Sequence, residues 1–171
     1  TTLAPITKND VSSYDWNGYL IVDNILSVKE CGEYLELFER HADKNFSALM
    51  NLDREVPEIR ALMKLPQIVE TIETLQRWQV DAVMSQFLFK KAKTQYQHQA
   101  WNPHQDNSYP QVPYPGYITV NIFFEDADTE NGCMYFYPGS HRESLLPYAP
   151  SESYREQPGT NPGNTEVVPP E

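Results

Sequence analysis

Ile118-Thr119-Val120-Asn121-Ile122-Phe123-Phe124 is the stretch whose reading decides the fold. β-branched and aromatic residues fill it, which is the composition of a strand set against a packed surface. Working outward, Val83, Ser85, Phe87 and Phe89 alternate with their neighbours in the manner of an earlier strand. Downstream, Cys133-Met134-Tyr135-Phe136-Tyr137 lies between the turn pairs Asn131-Gly132 and Pro138-Gly139 and reads as another. Residues 18–23 (GYLIVD) predict one more short strand near the start. The front of the chain is otherwise helical. Ser27 and Glu30 have the spacing of a capping box, and Val28, Cys31, Leu35 and Phe38 follow at helical intervals, so a helix is predicted over 28–41. Ile59, Leu62 and Met63, then Ile68, Val69, Ile72 and Leu75, predict a second helical stretch from Pro57 to Trp78, which Pro66 should break. Residues 1–15 are polar and are expected to be a loose arm. Helices followed by strands give a mostly β domain with N-terminal helices, an α+β class. Residues 1–171 are read as a single domain. Within it, 151–171 is expected to be a loop or linker-like tail, because Pro, Gly, Glu, Ser and Asn displace the large apolar residues there.

Composition supports one globular domain: 171 residues, 40% hydrophobic and 22% charged. The 11 tyrosines and 14 prolines suit long ordered loops around a β-rich core better than a helix bundle. A net charge of −11 repels phosphate backbones and anionic lipid, so neither nucleic acid nor a membrane surface is the expected partner. No apolar run approaches a membrane span, and TTLAPITKND has neither the basic nor the apolar region of a signal peptide. The chain opens on Thr rather than Met, so sequence is expected to precede it. Cys31 and Cys133 are too few and too far apart for a disulfide framework or a CxxC metal site, which fits a cytoplasmic setting.

The chemistry centres on His104-Gln105-Asp106. In a strand, residues i and i+2 face the same way, so H-x-D on an extended segment aims an imidazole and a carboxylate at one point. Pro103 favours that extended geometry. With a distant second His, this is the two-His-one-carboxylate triad suited to Fe(II), which leaves three positions open. Four His and nine Asp would produce one H-x-D by chance about one time in five. On the residues alone, a hydrogen-bonded His–Asp pair on a surface loop is therefore the favoured reading.

Further along stands Asn131-Gly132-Cys133-Met134-Tyr135-Phe136-Tyr137-Pro138-Gly139-Ser140-His141-Arg142, with Gly132 lying 26 residues past Asp106. HxD, a strand, then an NGC–apolar–PGSH segment at this distance resembles the phytanoyl-CoA dioxygenase family. GYLIVDNILS followed by a helix resembles that family's opening, and the likeness covers about residues 16–145.

The resemblance implies a double-stranded β-helix (a jelly roll, cupin-like) holding Fe(II) and 2-oxoglutarate. It implies a hydroxylase that uses O2 on a small-molecule substrate and releases succinate and CO2. His104 and Asp106 become iron ligands; the presence of Asp106 favours hydroxylation over the halogenation of relatives that lack this carboxylate. Thr119 and Asn121, on one face of the following strand, fall where the family contacts 2-oxoglutarate. Gln86, Phe87 and Lys91 fall on the preceding strand, where it supplies further cosubstrate or substrate contacts. Trp101, Tyr109 and Tyr114 are candidates for the substrate mouth. His141 is expected to shape its turn rather than bind metal, Arg142 to be a surface or supporting residue, and His41 to favour its helix C-terminus; His98 has no assigned role. The family's distal His, and the Arg that grips the 5-carboxylate, have no counterpart after His141, where Arg142 and Arg155 are the only arginines. The β-helix is therefore expected to be incomplete at its C-terminal end, with a glycine-rich segment carrying both residues downstream. Two other readings stay open. A non-catalytic β-helix relative could serve as a binding or scaffold protein, and a hydrolytic zinc protein could use the same ligands, although no general base or nucleophile motif stands beside them.

Overall fold

The computed structural model describes residues 5–42, 48–89, 91–94, 101–113, 116–150 and 165–168. Its first element, α1 (Lys8–Asn17), replaces the loose arm expected over 1–15. The reason is capping rather than periodicity, since α1 buries no residue. The Thr7 hydroxyl accepts from the Asp10 N–H at 3.3 Å, and the Asp10 carboxylate accepts from the Thr7 N–H at 2.7 Å. Gly18, at φ +85°, closes the other end by donating to the Tyr14 carbonyl at 2.7 Å. The strand expected over 18–23 does not form, and Ile21 is exposed there.

α2 (Val28–His41) starts on the predicted Ser27–Glu30 capping box and buries Leu37 and Phe38. At its end the His41 ring hydrogen-bonds the Leu37 carbonyl at 2.8 Å. β1 (Ala48–Met50) follows, and then α3 (Pro57–Met63) and α4 (Pro66–Gln76), divided at Pro66 as expected. Each begins on a proline, whose missing N–H has no acceptor to lose at a first helical turn. β2 (Gln86–Leu88) pairs antiparallel with β1, Leu49 opposite Phe87. β3 (Tyr148–Pro150) pairs antiparallel with β4 (Thr165–Val167), Ala149 opposite Glu166. β4 places a short strand within 151–171, the stretch expected to be loop; residues 151–164 lie outside the described residues.

The core gathers Leu37, Phe38, Leu52, Val56, Ile59 and Phe89, with Tyr34, Leu49, Phe87 and Phe124 packed against it. Phe38 stacks on Phe87 with ring centroids 3.6 Å apart and meets Phe124 edge-on at 5.3 Å. α1 lies against α4 through an Arg77–Asp15 ion pair at 2.6 Å and a Gln76 amide donating to the Tyr14 hydroxyl at 3.2 Å.

Helices with small sheets are thus present, as the α+β class requires. The strands expected over 118–124 and 133–137 form no ladder among the described residues. The turns at 131–132 and 138–139 do form. A β-rich composition fits a segment to a pleated surface but cannot supply the partner that makes it a strand. Val120, Phe123, Tyr135 and Tyr137 are accordingly exposed. Cys31 and Cys133 are both free thiols and partly buried. No helix among the described residues is long and apolar enough to cross a membrane.

Candidate metal centre

The H-x-D segment is extended at its midpoint, with Gln105 at φ −105°, ψ 125°, and turns into a 3-10 helix over Asp106–Ser108. The two chemically important side chains converge: His104 Nε2 lies 3.2 Å from Asp106 Oδ1. Each is held from behind. His104 Nδ1 hydrogen-bonds the Asn102 carbonyl at 2.7 Å, and the Thr119 hydroxyl donates to Asp106 Oδ2 at 2.6 Å. A carbonyl on one ring nitrogen directs the other toward a ligand, which is the usual support of a metal-binding imidazole.

The electrostatics follow from this pairing. The Asp106 carboxylate raises the His104 pKa above the ordinary imidazole value, and the Asn102 carbonyl adds to the effect while burial opposes it. His104 in turn holds the Asp106 carboxyl below its usual range; Thr119 assists and burial again opposes. Burial pushes the nearby Tyr117 phenol up, and the Asp106 charge adds to that. A half-buried anion facing an imidazole nitrogen favours a positive charge between them. A divalent cation meets that demand in place of the shared proton. The pair therefore fits two positions of a metal ligand set.

A third position is not found: among the described residues, no group of three His, Cys, Asp or Glu side chains could hold a metal ion. His141 is used elsewhere. Its Nε2 lies 3.1 Å from the Asp15 carbonyl, and its ring packs so closely on Gly18 that a Cβ there would lie 2.3 Å from Nδ1. Gly139 donates to the Asn17 carbonyl at 2.8 Å, and the Arg142 guanidinium sits over the Trp16 ring at 4.6 Å. The PGSHR turn thus clasps the end of α1. His98 lies outside the described residues.

Of the cosubstrate candidates, only Thr119 is drawn to the pair, and its partner is Asp106. Asn121 lies exposed two residues further on. Lys91 pairs with Glu39 of α2 at 2.5 Å, and Phe87 is stacked in the core. Gln86 sits on β2 opposite Met50. Tyr109 meets the His104 ring edge-on at 6.4 Å, Trp101 is half-buried, and Tyr114 lies outside the described residues. Sequence reasoning missed the Asn102 carbonyl and the Thr119–Asp106 bond. Neither has a motif, since one is main chain and the other depends on how a loop folds back across 13 residues.

A model of the family described as phytanoyl-CoA dioxygenase matches residues 14–171. Two curated proteins called phytanoyl-CoA dioxygenase domain-containing protein 1, from Mus musculus and Rattus norvegicus, are each 30% identical over 136 residues. The alignment covers 77% of this chain and 44% of each relative, so the chain spans less than half the length of the curated relatives it matches. No solved structure matches.

Proposed function

The chain belongs to the phytanoyl-CoA dioxygenase family, and on that premise we propose that it carries the iron-binding front part of a non-haem Fe(II)- and 2-oxoglutarate-dependent hydroxylase acting on a small molecule. The observation that carries this reading is the His104 Nε2–Asp106 Oδ1 approach of 3.2 Å, with each group anchored from behind. When bound, Fe(II), 2-oxoglutarate and O2 together supply hydroxylation of a C–H bond coupled to loss of CO2 and formation of succinate.

The residues have distinct tasks. Asp106 supplies the anionic charge that holds the dication, and His104 offers a neutral imidazole whose orientation the Asn102 carbonyl fixes. Thr119 takes one lone pair of Asp106, leaving Oδ1 directed at His104. Asn121 is exposed and able to meet the cosubstrate. Phe87 would act through packing, and Lys91 would have to leave Glu39 to reach a carboxylate. We place the remaining ligand outside the described residues and assign the fold to a double-stranded β-helix in a cytoplasmic protein.

Adding Fe(II) and 2-oxoglutarate anaerobically to the intact protein should give a weak visible charge-transfer band, which His104→Ala abolishes. No band, together with no 2-oxoglutarate turnover, overturns the reading. The competing reading, a non-catalytic relative acting as a binding or scaffold protein, is favoured by one observation, the lack of a third ligand among the described residues. It predicts that negative result.

A further inference from the structure

Gln105 stands between the two members of the metal pair and is extended, so its side chain leaves the opposite face of the segment from theirs. It does not end in solvent. Its Nε2 donates to the Ser144 carbonyl at 2.9 Å, and its Oε1 accepts from the Leu146 N–H at 2.8 Å. One primary amide therefore satisfies a main-chain acceptor and a main-chain donor about forty residues away, as a strand neighbour would. The segment it grips follows directly on the PGSHR turn. Ser144 is at φ +61°, ψ −159°, a conformation that glycine adopts freely and serine does not. A strained residue persists where its surroundings hold it, and the Gln105 amide is bonded to that residue's carbonyl.

Other hydrogen bonds hold the segment on either side of the Gln105 side chain. The Val167 N–H donates to the Pro103 carbonyl at 2.8 Å, the Asn102 amide donates to Glu166, and the Ser108 N–H donates back to the Gln105 carbonyl at 2.9 Å. Besides the Thr119 hydroxyl on Asp106, the Gln105 side chain ties this stretch to a different part of the chain, and it does so from the opposite face. Rotation of the segment about its own axis would swing both ligands together, and a tether on the opposite face resists that rotation.

We propose that Gln105 is a positioning residue for the metal pair: its amide, held between the Ser144 carbonyl and the Leu146 N–H, fixes the aim of His104 and Asp106. The proposal rests on the reading that this pair holds a metal. It also gives the second sequence motif a task, since the turn that clasps α1 delivers residues 144–146 to Gln105.

Co(II) titration of the intact protein tests it, because the visible d–d bands report ligand geometry as well as occupancy. Gln105→Met keeps the side chain's length and loses both hydrogen bonds. It should weaken Co(II) binding about 10- to 100-fold, the usual cost of losing a group that orients a metal ligand, and it should change the band envelope at saturation. A merely structural role would lower the melting temperature and leave the saturated spectrum alone. His104→Ala separates the two levels of inference. If His104→Ala abolishes binding while Gln105→Met binds within twofold with an unchanged spectrum, the positioning role is overturned and the metal site stands. If His104→Ala binds Co(II) normally, the metal site itself fails, and the proposal with it. Should Gln105→Met not fold, Gln105→Glu takes its place; it keeps the acceptor for Leu146 and loses the donor to Ser144. Unchanged affinity and spectrum in that variant overturn the proposal equally.

Discussion

Thr119 holds the Asp106 carboxylate in place. Its hydroxyl donates to Asp106 Oδ2 at 2.6 Å, so one oxygen of Asp106 is occupied and the other is left toward His104. A charge-assisted bond of this kind fixes the carboxylate's rotation and lowers its proton affinity. Thr119→Val keeps the shape and removes the donor. Metal affinity should fall about tenfold by the usual cost of such supporting groups. Thr119 is exposed, so stability should change by less than about 0.5 kcal/mol, as is usual for surface substitutions. Isothermal titration with Co(II) beside a urea melt reads both quantities, and a loss of stability without a loss of affinity would contradict the assignment.

At the scale of elements, the capping boxes decide where helices begin. The Glu30 carboxylate accepts from the Ser27 N–H at 2.7 Å and from the Ser27 hydroxyl at 2.6 Å. These bonds, the hydroxyl's first, hold its pKa below the ordinary 4.5. A carboxyl depressed on folding contributes stability above its unfolded pKa and loses it as the pH falls through the folded value. Glu30→Gln has the shape of the protonated side chain. Wild type should therefore melt above Glu30→Gln at pH 7, and the two curves should converge as the pH falls below about 4.5; the site is exposed, so the gap is small and shrinks in salt. Parallel curves across that range would show that the charge does nothing for α2. The same boxes show what sequence could reveal. Ser27–Glu30 stood before an apolar stripe and was legible. Thr7–Asp10 has the same chemistry but opens a helix that buries nothing, so no apolar periodicity marks it. Pro66 was legible because its ring constrains the chain whatever surrounds it. The 118–124 and 133–137 segments were legible only as β-prone, because pairing depends on a second segment that local composition cannot specify. At the site, the H-x-D spacing announced His104 and Asp106, whereas Gln105's grip on residues 144–146 rests on tertiary contacts that no spacing encodes.

Across the whole molecule, the 118–124 segment joins the aromatic core to the His104–Asp106 pair through Phe124 and Thr119. Phe124 packs against Phe38 at 5.3 Å and Tyr34 at 5.8 Å, at the far end of the segment that carries Thr119. Phe38, 3% exposed, belongs to α2; it stacks on Phe87 of β2 and meets the segment at Phe124. The two phenylalanines therefore separate stability from site geometry. Phe38→Ala removes a fully buried ring and should cost about 3–5 kcal/mol. That loss falls on the folding equilibrium, so among molecules that remain folded the metal affinity should be close to wild type. Phe124→Ala removes a half-buried ring and should cost less, about 2 kcal/mol, scaling with the smaller buried area. It also frees the end of the 118–124 segment, so Thr119 loses its fixed approach to Asp106 and affinity should fall as in Thr119→Val. Urea unfolding gives the first quantity for each variant. Co(II) titration without denaturant, corrected for the folded fraction, gives the second. If Phe124→Ala loses stability and keeps its affinity, the core and the metal pair are independent, and Thr119 is held by its own loop alone.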